Sequence, residues 1–495
     1  MKKIFVLGLC TILFSSFFLM LNTSTVEAAE VWTDITLPAT INSSGYYRVT
    51  NNYVCTTETP ALNIRANNVV VNGNGRTITQ QNTANMGIIY TDRVNTVIGN
   101  FSFNIPNANL YTCFVGCANF NGVEIGNCTF RNSAGYAITL YDGANSKIYN
   151  CSFSDNLTGS IMFVRCTSIG VTNCTFTENG RNCIYLSQCR GVALQNLRLL
   201  KFSTVHSAVS NVYVKTCSNV TVLGAYFSGY SCVSVDGSVN VASADVVVTN
   251  CTFANSLGID ARDIQNFSVQ ACTFRNALDR VGIYFGSTAQ TGSTVGPLTL
   301  RDNFFSNNNA TLWISGPRVV AYNNYFGDDF IFRSGSVLGG SSQFNISPTN
   351  GVRITGGVGQ IGGNFWANSA GTGYSQTASN IGGGFAAPYS LGLGQVDNYP
   401  LVMTQAIVPT PTPGPTSTAT PTPTPGGGGD VSPPGGGGGG WWPSPTVTTG
   451  PSPSPSSPGW WDNLLSALCR NWLLILLIVL LLVVVCVVAL WSRRR

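Results

Sequence analysis

Residues 123–176 read VEIGNCTFRNSAGYAITLYDGANSKIYNCSFSDNLTGSIMFVRCTSIGVTNCTF, and the reading of this stretch decides the fold. The phrase Asn127-Cys-Thr-Phe130 returns as Asn150-Cys-Ser-Phe153 and Asn173-Cys-Thr-Phe176, each copy 23 residues after the last. Later copies are Asn250-Cys-Thr-Phe253 and Ala271-Cys-Thr-Phe274. Each follows an apolar alternation such as Val123-Glu-Ile125. A fixed period in the low twenties, made of short β-rich pieces, predicts a solenoid that stacks one coil per repeat.

Working outward, the Phe of the phrase aligns coils ending near Phe103, Phe130, Phe153, Phe176, Leu199, Phe227, Phe253, Phe274, Phe305 and Phe326. Uneven spacings mark loops inserted at a corner, and Val69-Val-Val-Asn-Gly-Asn-Gly-Arg-Thr-Ile78 reads as an earlier coil. Each coil also carries a second alternating strand, as in Ile138-Thr-Leu140, Ile184-Tyr-Leu186, Ile259-Asp-Ala261, Ile283-Tyr-Phe285 and Leu312-Trp-Ile314. The aliphatic residues point inward and the middle residue outward.

The composition agrees. Of 495 residues only 9% are charged, 54 are Gly, and apolar residues recur through the repeats, which excludes a disordered chain. The net charge of +5 is small, and no basic stripe of the kind that binds nucleic acid is present. No cofactor motif is evident, and no metal site is expected.

The ends read differently. Lys2 and Lys3, an apolar run Ile4 to Leu21, and small residues at Ala28 and Ala29 predict a signal peptide over residues 1–29. An ectodomain over 30–405 is expected to follow, with a C-terminal cap near 361–403. Residues 406–461 form a Pro/Thr/Gly/Ser-rich linker, extended or flexible by composition, with a reach on the order of 100 Å. Residues 462–495 hold a juxtamembrane segment, an apolar stretch at 472–491 and the tail Arg493-Arg-Arg495. A stretch of about 20 apolar residues spans a bilayer. The basic tail places the C-terminus in the cytoplasm. The expected location is the cell surface, single-pass and membrane-anchored, with the N-terminal domain outside.

The pattern over roughly residues 35 to 405 resembles the right-handed single-stranded parallel β-helix of the pectate-lyase-like superfold. It is most similar to the NosD-type and related surface β-helix proteins of prokaryotes. Gly363-Asn-Phe-Trp-Ala-Asn-Ser-Ala-Gly-Thr-Gly-Tyr374 and Val396-Asp-Asn-Tyr-Pro-Leu401 resemble the element that closes the helix in those proteins. The intervening Asn380-Ile-Gly-Gly-Gly-Phe-Ala-Ala-Pro388 lacks the acids that family members carry there for calcium. The expected fold class is therefore all-β, a right-handed parallel β-helix with a C-terminal transmembrane helix. The superfold hosts many activities, so function must be argued from a site.

Thirteen of the 16 cysteines lie between the signal and the linker. Cys128, Cys151 and Cys174 form one row, and Cys166, Cys189 and Cys217 another. Stacked, buried, reduced thiols are the favoured reading, because in-register strands hold the Cβ vectors side by side and strain a disulfide. Disulfides involving Cys113 and Cys117 are the alternative. Asn127, Asn150, Asn173 and Asn250 fall in a bend, where Asn tolerates a left-handed backbone. They are expected to form an inward ladder closed to glycosylation. The sequons at Asn42, Asn156, Asn219, Asn309 and Asn345 are then the surface candidates. The single histidine, His206, supports neither a copper site nor a catalytic triad.

Function is expected on the outward residues of the second strand. Tyr185, Asp236, Asp260, Arg262, Tyr284 and Trp313 are the candidate carbohydrate-binding residues. Rings stack on sugar faces, while carboxylates and Arg fix hydroxyl or uronate groups. Adhesion, glycan binding or a contribution to the cell envelope is the expected role, with an extracellular polysaccharide or envelope glycoprotein as partner. The alternative is a polysaccharide lyase or glycoside hydrolase. Asp236, Asp260, Arg262 and Asp279 are its candidate catalytic residues, with Asp263 and Arg280 nearby in sequence. The Gly-His-Gly signature of the polygalacturonases is absent.

Overall fold

A computed structural model describes residues 30–403, apart from 57–59, 82–87, 106–112, 201–209, 230, 238–242, 278–280, 287–295, 317 and 339–341. The expected signal peptide, linker and membrane span lie outside the described residues, as do His206 and Asp279. No helix among those described is long and apolar enough to cross a membrane.

One coil shows the plan. Tyr136–Tyr141 belongs to a first sheet, Ala144–Tyr149 to a second and Ser152–Ser154 to a third, before Gly159–Val164 begins the next coil. We call these sheets I, II and III. Equivalent strands pair in parallel and in register, Ile138 on Ile161, Ile148 on Val171 and Phe153 on Phe176. Among the described residues sheet I has 12 strands and sheets II and III have 13 each. At roughly 4.8 Å per coil the rod is about 60 Å long.

The interior is a set of columns, each holding one residue per coil. Ile138, Ile161, Ile184, Val212, Val233, Ile259, Ile283 and Leu312 are stacked and fully buried under sheet I. Under sheet III the rings of Phe103, Phe130, Phe153 and Phe176 lie nearly parallel with centroids 4.9 Å apart. Leu199 interrupts the file, which resumes at Phe227 and ends on Trp366. Free aromatic pairs prefer offset or edge-on contact. Here the strand spacing imposes the face-to-face stack.

The bend between sheets II and III corrects one expectation. Asn127, Asn150, Asn173 and Asn250 do adopt the left-handed backbone, with φ of 53° to 54°, but their side chains are exposed. A residue in this conformation directs its side chain out of the corner, and Asn150 Nδ2 reaches Asn127 Oδ1 at 3.3 Å on the outside. The inward ladder exists one residue later, in the cysteine row itself. Asn303 N–H and Nδ2 donate to Asn324 Oδ1 at 3.0 and 2.9 Å, and Asn324 does the same to Asn364 Oδ1 at 3.1 and 2.9 Å. The amides also donate to the carbonyls of Val269, Leu300 and Ala321.

Thiols fill the same part more weakly. Cys251 N–H donates to Cys272 Sγ at 3.4 Å, and Cys272 Sγ donates to Gln270 O at 3.2 Å. All thirteen cysteines from Cys55 to Cys272 are free thiols, including Cys113 and Cys117. Burial pushes Cys55 and Cys113 up to about 11 and Cys232 up to about 12. The Cys189 hydrogen bond draws Cys217 down instead, but it is as buried as the rest, and an enclosed thiol is a poor target for a reagent. Alkylation of the native full chain near neutral pH, read by peptide mapping, should therefore leave Cys128 through Cys272 unmodified until denaturant is added. Modification of that row in the folded protein would contradict the packing.

A second expectation fails at Asn156. Its side chain is fully buried, accepts from Ser133 N–H at 2.9 Å and donates to Asn179 Oδ1 at 2.8 Å, so no glycan can reach it. Asn42, Asn219 and Asn309 are exposed, and Asn345 is half-buried with Nδ2 on Val396 O.

The two pieces expected to close the rod meet at Asp397. Its carboxylate accepts from Asn364 N–H at 2.8 Å, Trp366 Nε1 at 2.9 Å and Tyr399 N–H at 2.9 Å. The carboxylate thus ends the inner ladder, while Trp366 ends the ring stack. Gly363 is required beside it, because any Cβ there would run into the Asp397 carboxylate.

Candidate functional site

The alternation of sheet I turns every second side chain outward, and in-register pairing lines these up across coils. One outward file runs Met162, Tyr185, Tyr213, Ser234, Asp260, Tyr284 and Trp313. The next runs Lys215, Asp236, Arg262 and Gly286. Five of the candidate binding residues beyond Tyr185 thus fall on neighbouring strands of one face.

Side-chain contacts join them into two clusters that share one strip of the face, with Ser234 between them in the file. Tyr185 stacks on Tyr213 with centroids 5.6 Å apart, and Tyr213 Oη donates to Asp236 Oδ2 at 3.0 Å. Burial first, and then the Asp236 charge, hold the Tyr213 phenol far above its ordinary value, so it stays a neutral donor. Arg262 forms two parallel bonds to Asp260, both 3.0 Å, and lies 5.2 Å from the Tyr284 ring centroid. Tyr284 meets Trp313 edge-on at 4.9 Å, and Arg333 sits 4.6 Å over the indole. The aromatic members are half-buried, each leaving part of a ring open to solvent.

Tyr213, Lys215 and Arg333 were missed from sequence. Val212-Tyr-Val-Lys215 carries the same alternation as its neighbours and was the available signal. It lies inside the longer interval between Leu199 and Phe227, away from the strands whose spacing is regular. Arg333 lies past the repeats, and nothing in the local sequence pairs it with Trp313.

The acids are engaged rather than poised. General acid–base cleavage of a glycoside needs one protonated carboxyl and one free carboxylate across the bond. Both Asp260 oxygens accept from the Arg262 fork, and Asp236 accepts from Tyr213. The Arg262 side chain is 47% exposed, so this ion pair contributes little stability and its guanidinium remains open to a ligand. What the strip offers is rings, a fork of N–H donors and carboxylate acceptors along one straight face.

The profile of the right handed beta helix region matches residues 41–198 and 160–331. No curated protein matches the chain. Solved structures of similar fold include the mannuronan C-5 epimerase AlgE6 A-module of Azotobacter vinelandii, at 13% identity and a TM-score of 0.45, over 63% of this chain and 89% of that one. PfbA, a surface adhesin of Streptococcus pneumoniae, is 12% identical over 70% of this chain and 93% of its own, with a TM-score of 0.41. An exopolygalacturonase of Thermotoga maritima is 10% identical over 62% and 85%, with a TM-score of 0.31. These likenesses concern the fold alone.

Proposed function

This chain belongs to the right-handed β-helix family, and from that premise we propose that it is an exported, membrane-anchored surface protein that binds polysaccharide along sheet I. The observation that carries the reading is two clusters aligned on one face, Tyr185 with Tyr213 and Asp236, and Asp260 with Arg262, Tyr284 and Trp313. A polymer laid along the rod axis meets one outward residue per coil, at a spacing of about 4.8 Å. Open ring faces take the apolar sides of sugars, and Arg262, Asp236 and Lys215 take hydroxyl and acidic groups. The leader-like start and the apolar 472–491 stretch support export and anchoring.

The test uses the full chain in detergent micelles, with a panel of polyuronates and neutral polysaccharides, scoring binding and cleavage together. Trp313→Ala and Tyr284→Ala should each weaken binding about tenfold or more, corresponding to roughly 1.4 kcal/mol. Cleavage that disappears in Asp260→Ala would instead make this face a catalytic one. Wild-type protein that holds none of the polymers would sink the binding reading and leave a structural envelope role.

A further inference from the structure

On the corner between sheets II and III, away from the strip, the outer Asn ladder is broken twice. The bend residue of each coil donates its N–H to the next coil, in the order Asn150, Asn173, Asn196, Gly224, Asn250, Ala271. Gly224 and Ala271 supply no amide, so Asn250 has no side-chain amide in the row on either side of it. Both breaks keep the left-handed backbone, with φ of +63° at Gly224 and +49° at Ala271. For an alanine that conformation costs about 1–2 kcal/mol. The chain therefore holds this position small where Asn would be conformationally easier.

The result is a cleft of about 550 Å3, within the roughly 300–1,000 Å3 range of small-molecule sites. Its walls include Arg198 and Tyr226 from sheet III and the amides of Asn173, Asn196 and Asn250. The guanidinium of Arg198 lies 5.8 Å from the Tyr226 ring centroid. Among the described residues no carboxylate lines the cleft or pairs with Arg198, and no side-chain hydrogen bond engages those three amides. A concave site with one unpaired fork of donors, several free amides and no acid selects a polar ligand carrying an anion.

We propose that this cleft is a second binding site, specific for a carboxylate-bearing sugar residue. Arg198 takes the carboxylate through parallel N–H···O bonds, the amides take ring hydroxyls, and the open edge of Tyr226 lies against the ring. The site stands on a different face from the sheet I strip and does not depend on it.

The probe is trigalacturonate, with its fully methyl-esterified form as the uncharged control, titrated into the full chain in detergent micelles. The acid should bind and the ester should not. Arg198→Gln should weaken the acid about tenfold or more, through loss of the charged fork. Gly224→Asn places the residue best suited to a left-handed backbone there; its Cβ comes within 2.8 Å of Asn196 Oδ1, so the flexible Asn196 amide turns aside and the crowded wall should block the site. The titration is repeated in a Trp313→Ala background, which removes the strip's contribution, so that the effect of Arg198→Gln is read on the cleft alone. The proposal is overturned if trigalacturonate does not bind, if the ester binds equally, or if Arg198→Gln and Gly224→Asn both bind like wild type. An Arg198→Gln effect that disappears in the Trp313→Ala background would overturn it too.

Discussion

Asp397→Ala is expected to release the C-terminal cap. Three N–H donors, from Asn364, Trp366 and Tyr399, end on that carboxylate, and the site is fully buried. An unsatisfied buried donor costs about 1–3 kcal/mol, so the loss should be at least about 3 kcal/mol. Hydrogen exchange at the Asn364, Trp366 and Leu401 amides reports it directly, since a solenoid opens locally and the cap need not drag the rod with it. Unchanged protection there would refute the assignment of Asp397 as the closing group. Asp397→Asn keeps an acceptor and should cost less.

The same residue sets a pH dependence. Burial raises its carboxyl from the ordinary 3.8 to about 6, against the pull of its three donors. The folded cap therefore holds the proton more tightly than the unfolded chain does. The stabilisation is complete below the unfolded value and is lost as pH rises through about 6, amounting to roughly 3 kcal/mol over the window. Cap protection should accordingly rise on acidification from about pH 7 to about pH 4, and Asp397→Asn should flatten the response. Buried Asp328 is shifted in the same direction. Asp34 and Asp142, drawn down by Arg48 and Arg165, oppose it from exposed positions at other coils, so the readout must be local to the cap.

The second large effect is expected from Phe253→Ala. Its ring lies 4.9 Å from Phe227 and 4.6 Å from Phe274, wholly inside the rod. Truncating a buried Phe costs about 3–5 kcal/mol, because the rigid coils on either side cannot collapse into the space. Phe253→Leu should cost far less, since Leu199 already occupies that position in another coil. Thermal unfolding followed by circular dichroism should separate the two variants. Equal midpoints would mean the ring stack is incidental to stability.

The repeat made the interior legible. Ring and aliphatic columns could be read from Asn127-Cys-Thr-Phe130 and Ile138-Thr-Leu140, because a period of one coil and an alternation of two residues are both sequence properties. The direction of the bend asparagine was not legible. Whether Asn127 or its neighbour Cys128 faces inward turns on a single φ value, and two polar residues side by side give no alternation to decide it. Once the left-handed residue is known to face out, Asn303, Asn324 and Asn364 become the inner ladder. The strip on sheet I was half legible. Its residues could be listed from the alternation, but the pairing of Tyr213 with Asp236 and of Arg333 with Trp313 needed register across an irregular interval. The departures at Gly224 and Ala271 were visible in sequence, but the cleft was not, since its walls come from coils whose register only the fold supplies.

In-register stacking has one more consequence. Every coil advances the rod by the same step and presents the same interior to its neighbours, so the molecule is a ruler graduated in coils. The cleft near Arg198 and the Trp313 end of the strip lie on different faces, separated along the axis by a whole number of graduations. A coil gained or lost between them would leave each surface intact and the columns continuous. Only the distance between the two surfaces would change, in whole coils.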